Sequence, residues 1–226
     1  MTKVIKAEIY KLFHSIYFWG IAGGYFLIVS LLVPDHSAQT SVLRSSMYPI
    51  PFLIFMVFAF AIAMIGNEFD KRLLQTYIAA GNRRHDVVSA KLIVFLAASV
   101  GMITVTLLIH GLVGLIFKGE AIDFRTILFL IPSFFAICLV PAFMAFVFKD
   151  IGKTMGSGLV LYVLMMLSLN TDGISDKAVY LPYGHAVLAY FDKLPEDRGI
   201  LLLIDAAWIA FFLIGSYIAL LRNDLK

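Results

Sequence analysis

Few side chains in this sequence are of a type that does chemistry, and their spacing limits what that chemistry can be. There are five histidines and one cysteine in 226 residues. A hydrolase needs a serine or cysteine beside a base, or histidines and a carboxylate around a metal. No such set recurs at working spacing. Cys138 stands alone in an apolar run, which leaves neither a disulfide nor a thiolate cluster. His36 and His185 with Asp35 and Asp192 could be grouped as a metal set, but no bound metal is expected. Gly152-Lys153-Thr154 imitates the end of a phosphate-binding loop, yet the glycine required five residues before Gly152 is Val147. What remains is charge. Glu68, Asp70, Arg72, Thr76, Arg84 and Lys91 crowd one polar stretch, and Lys149, Asp150 and Lys153 form a second. His110 and Asp205 lie inside long apolar runs, and a pairing between them across a helix bundle is geometrically possible. The alternative is that both reach a polar interface and serve structure alone.

The elements that must position these residues follow from composition. Residues are 61% hydrophobic and 15% charged, with a mean hydropathy of +0.92, outside the range of a soluble globule. Intrinsic disorder is excluded by the same figures. A bilayer core is crossed by about 20 apolar residues of helix, and six stretches, uncharged but for Asp205 in the last, are of that order: 16–33, 47–66, 92–117, 126–148, 154–171 and 200–221. They are too long for barrel strands, so the expected fold is an all-α integral membrane bundle of six transmembrane helices. Asn170 falls at the outer end of the fifth.

Orientation follows from the basic residues, which are retained on the cytoplasmic side. An amino terminus inside puts Lys3, Lys6, Lys11, Lys71, Arg72, Arg83, Arg84, Lys91, Lys149, Lys153, Arg222 and Lys226 on that side. Arg44, Lys118, Arg125, Lys177, Lys193 and Arg198 are then outside. Both termini are therefore expected in the cytoplasm, and the positive balance reads as a topology signal rather than nucleic-acid binding. Asp35 and His36 occupy the places where a signal-peptide cleavage site would need small residues, so the first span is expected to be retained.

No connection between spans is long enough for a soluble domain, so residues 1–226 form a single transmembrane domain and any motor must be another polypeptide. Four connections carry structure. In 1–15, Val4, Ile5, Ile9, Leu12 and Phe13 recur at helical spacing opposite Lys3, Lys6, Tyr10, Lys11 and His14, which predicts an interfacial helix. Between spans two and three, Asn67 reads as an N-cap, Glu68 and Asp70 suit the first turn, and Gly81 ends a helix over 68–80. The turn 149–153 is short. The stretch 178–191, with Pro182, Gly184 and His185, is too short to span and predicts a re-entrant or interfacial outer element. With His110, Asp205 and Asn170, His185 completes the candidates for a transport pathway.

An interfacial first helix, six spans, a helix with an acidic start between spans two and three and a broken apolar element before the last span together resemble type-2 ABC transporter permeases. The detailed resemblance is carried by Glu68, Gly81, Arg84 and Lys91. It implies that 68–80 is a coupling helix seated in a separate ABC ATPase subunit. Glu68, Asp70, Arg72, Thr76, Arg84 and Lys91 would then be coupling residues, with Lys149, Asp150 and Lys153 a lesser contact. It also implies two permease copies above two ATPase subunits that bind ATP and magnesium, with no cofactor on this chain. The size is similar to that of small plasma-membrane permeases of Gram-positive bacteria that export, or confer immunity to, antimicrobial and amphipathic peptides. Other readings are a non-transporting immunity or assembly subunit and a small secondary transporter, although an ion-coupled carrier needs more carboxylates near the midplane than this chain has.

Overall fold

A computed structural model describes residues 2–36, 40–70, 76, 77, 79–169, 179–195 and 197–222, and among these every regular element is helical. Arg72 and Asn170, with the rest of 71–75 and residue 78 of the helix expected over 68–80, lie outside the described residues.

Helix α1, Thr2–Phe13, buries Val4, Glu8 and Leu12, which are spaced by four along one face. It ends where His14 N donates to the Tyr10 carbonyl at 3.2 Å, and the Trp19 indole N–H of the next helix donates to the Phe13 carbonyl at 2.9 Å. Helix α2, Ile16–His36, is the first span. A single turn, α3, Val42–Ser45, follows; the Ser41 hydroxyl caps it by accepting from Arg44 N, and the Glu120 carboxylate accepts from Val42 N at 2.8 Å.

Helix α4, Ile50–Ala61, starts with Pro51 in its first turn, where a missing N–H costs nothing. It runs through a π turn, Ile62–Gly66, into α5, Asn67–Asp70. This corrects the expectation that Asn67 caps a new helix. Asn67 has helical dihedrals, and its side-chain amide donates back to the Ala63 carbonyl at 3.3 Å. The wider turn lets the helix continue where a break was expected. Gly81 does end the following segment in the left-handed region, at φ 86°, and the Asn82 side chain and backbone both bond the Tyr77 carbonyl.

Helix α6, Arg84–Lys118, has 35 residues, roughly 50 Å at 1.5 Å per residue, and so extends well beyond a hydrocarbon core. Helix α7, Phe124–Phe148, is capped by Asp123 and carries Pro132 and Pro141 internally. It is the hub, packing on α4 and α6 and on the three helices that follow. Helix α8, Ile151–Leu169, approaches α4 so closely that a Cβ on Gly158 would lie 2.6 Å from Phe58 Cγ. Helices α9, Pro182–Tyr190, and α10, Gly199–Arg222, complete the bundle.

Five helices among the described residues are long and apolar enough to cross a membrane: those at Ile16–Val33, Phe52–Phe69, His85–Lys118, Phe124–Phe148 and Gly199–Ala219. The helix in the fifth expected position, α8, has a shorter described apolar stretch, Ile151–Met165. Phe58, Phe95, Phe134 and Phe146 fill the core, while Leu31, Ile116, Phe117 and Leu203 point outward, 72–80% exposed. Such a surface is soluble only in lipid. The chain is an all-α multi-pass membrane protein.

Candidate functional site

The charged residues singled out in the sequence separate into two clusters at opposite ends of the bundle. At the lysine-rich end, Lys91 on α6 is fully buried, its Nζ 2.6 Å from Glu68 Oε2 and 2.9 Å from Glu8 Oε2. Glu8 and Glu68 are buried with it. Lys11 closes the group, its Nζ 3.3 Å from Glu68 Oε1 and 3.8 Å from Glu8 Oε1. It also donates to the Tyr77 hydroxyl and stands over that ring. Two ammonium groups, the buried Lys91 and the half-exposed Lys11, face two buried carboxylates, so the cluster is neutral as a whole, which is the condition under which ions are tolerated away from water. A cavity of about 180 Å³ beside the cluster is lined by Glu8, Lys11, Ser15, Tyr17 and Glu68. Burial pulls the Lys11 ammonium toward deprotonation, but the bond to Tyr77 and the carboxylates of Glu68 and Glu8 outweigh it and hold its pKa above the ordinary value.

Glu68 and Lys91 are thus brought together, with Glu8 and Lys11 of α1 as partners that the sequence reading did not name. One signal was available for Glu8. It falls four residues from both Val4 and Leu12, on the apolar stripe of α1 rather than its basic face. An acid in that position needs a buried cation.

The turn 149–153 lies close by. Lys149 ends α7 at φ 50°, and its ammonium is 5.8 Å from the centre of the Phe69 ring. Phe69 meets Phe146 edge-on at 6.0 Å. Asp150 Oδ1 accepts from Lys153 N at 2.7 Å and caps α8, while Lys153 is exposed. Thr76 is helical and exposed. Asp70 closes α5 and Arg84 opens α6, their side chains outside the described set.

At the opposite end, Asp205 on α10 pairs with His185 on α9 rather than with His110. His185 Nδ1 is 3.1 Å from Asp205 Oδ1. The Ser133 hydroxyl of α7 donates to Asp205 Oδ2 at 2.6 Å and is 3.1 Å from His185 Nδ1. The other imidazole nitrogen, Nε2, donates to the Val179 carbonyl at 2.9 Å. All three side chains are fully buried. A serine, a histidine and an aspartate have therefore met, but not as a hydrolytic relay. The serine and aspartate share one ring nitrogen, the serine proton is committed to the carboxylate, and no substrate can reach it. The group pins α9, whose residues from Pro182 to Ala189 are all buried. Trp208 Nε1 donates to the Tyr180 carbonyl at 3.1 Å before α9, and Arg44 pairs with Asp192 at 2.8 Å after it. His110 is elsewhere, between Ser30 at 3.2 Å and the Thr106 carbonyl at 2.8 Å.

The sequence model described as "ABC-2 family transporter protein" matches residues 4–170, and the chain belongs to that family. No curated protein matches it. The matched stretch contains the whole cluster of Glu8, Lys11, Glu68 and Lys91, whereas His185 and Asp205 lie beyond it. The chain is accordingly the membrane component, the permease, of an ABC transporter, and not itself a catalyst.

Proposed function

We propose that this permease is half of an ATP-driven exporter of the plasma membrane, in which two copies are worked by two ABC ATPase subunits that carry ATP and magnesium. Residues 68–80 are the coupling segment, Lys149 to Lys153 the lesser contact, and the cargo is amphipathic or hydrophobic, such as an antimicrobial peptide. The observation that carries the reading is the Glu8–Lys91–Glu68 bridge. It joins the interfacial helix, the end of the second span and the start of the third at the base of the loop that the ATPase would engage. Removing one partner of a buried ion pair costs about 3–5 kcal/mol, well above thermal energy, so a push on that loop moves three helices together instead of bending one.

The far end supports the second half of the cycle. α9 roofs an apolar cavity of about 190 Å³ lined by Met144, Met165, Tyr183, Trp208 and Phe212, among others. A buried roof of this kind is the outer gate, and an uncharged lining suits apolar cargo. Glu68, Asp70, Arg72, Thr76, Arg84 and Lys91 remain the coupling set, with a division of labour. Glu68 and Lys91 transmit, while the role of Arg72, Thr76 and Arg84 is to contact the ATPase. Double reversal of Arg72 and Arg84 to Glu should abolish cargo-stimulated ATP hydrolysis in the reconstituted complex. Unchanged ATPase binding and unchanged export in that variant would remove the reading.

A further inference from the structure

A furrow of about 530 Å³ runs along the lipid-facing side of α1, α2 and α6, with Leu12 between it and the lysine-rich cluster. Its walls are apolar, with Ile5, Ile9 and Phe13 from α1 and Trp19 from α2, and its floor is cut by the small residues Ala97 and Gly101 of α6. A Cβ on Gly101 would meet nothing within 4 Å. The volume is that of a ligand pocket rather than a packing defect. Lys6 lies three residues before Ile9 and seven before Phe13 on the same helix, which sets it beside the furrow wall, with Lys3 one turn before it, and both lysines are exposed. The acid of α1, Glu8, is turned the other way and neutralised by Lys91. Trp19 is 57% exposed with its N–H tied to the Phe13 carbonyl, the posture of an indole at a membrane interface.

We propose that this furrow is a site for one anionic phospholipid of the leaflet at the lysine-rich end, an acyl chain lying against Ala97 and Gly101 and the phosphate meeting Lys3 and Lys6. Charge complementarity selects this occupant. A second copy docked symmetrically on the same face would bring lysines against lysines, whereas an acidic headgroup above an apolar chain matches both the lysines and the floor. The site belongs to the chain alone and does not depend on an ATPase or a cargo.

The test is native mass spectrometry of the delipidated full-length protein titrated with phosphatidylglycerol or phosphatidylcholine of identical chains. One phosphatidylglycerol per chain should be retained in preference to phosphatidylcholine. Lys3→Gln and Lys6→Gln should each reduce that preference about fivefold, and Gly101→Leu should remove the bound lipid of either kind. Should Gly101→Leu fail to fold, phosphatidylglycerol with a photoreactive acyl chain on the wild-type protein should label 5–26 and 93–109. Equal retention of the two lipids by the wild type, or labelling spread evenly around α2, α6 and α10, would overturn the site.

Discussion

Lys91 shows how a residue at the edge of a hydropathy window can matter more than those within it. With Glu8 and Glu68 on either side it is the one fully buried cation of the set, so Lys91→Met leaves two buried carboxylates with only the half-exposed Lys11 to face them. That variant should lose about 3–5 kcal/mol of stability, read as a large fall in the thermal midpoint of the detergent-solubilised protein. A triple replacement, Glu8→Gln, Glu68→Gln and Lys91→Met, should recover most of it, because the one charge left, on Lys11, is half-exposed and reaches water. Lys11 adds a pH signature. Its folded pKa is raised above an ordinary value near 10.5, so its contribution is complete below that pH and disappears as pH rises through the folded value. The stability difference between wild type and Lys11→Met should accordingly be constant from pH 7 to about 10 and shrink above it.

Helices carry their own predictions. α7 begins at Asp123, whose carboxylate accepts from Thr126 N at 3.1 Å and Thr126 Oγ1 at 2.6 Å. These bonds, the hydroxyl first, hold the Asp123 pKa low against a smaller opposing effect of burial. Asp123→Ala should cost about 1 kcal/mol in chemical denaturation. For α9, Asp205→Ala breaks the pin to His185 and Ser133 and should speed amide hydrogen exchange over 181–190 while leaving α1 and α6 protected. At this scale the sequence was informative about hydrophobic runs and turns, since the long apolar stretches and Gly81 carry their own local signal. It was silent about partnerships. Glu8 and Lys91 are 83 residues apart, Ser133 and Asp205 are 72 apart, and no periodicity within one helix reports on a residue in another. The cap expected at Asn67 failed for a related reason: a π turn has no residue signature that separates it from a helix end.

Taken as one body, the bundle has a charged, balanced cluster where three helices converge and a second polar pin under α9, with apolar packing around α7 in between. Membership of the ABC-2 family makes it the membrane part of a transporter, and under the proposed function the two clusters mark an end that receives force and an end that releases cargo. That division predicts a separation of phenotypes. Replacing all three of Glu8, Glu68 and Lys91 by neutral residues should preserve ATPase binding and the fold yet uncouple hydrolysis from export, whereas Asp205→Asn should preserve cargo-stimulated hydrolysis and change only the rate of release. The most direct measurement is vectorial movement of an amphipathic peptide in proteoliposomes holding the chain with and without its ATPase partner. The account predicts movement that requires both the ATPase and hydrolysable ATP, at equal numbers of permease and ATPase subunits. Sustained movement by the chain alone would contradict it.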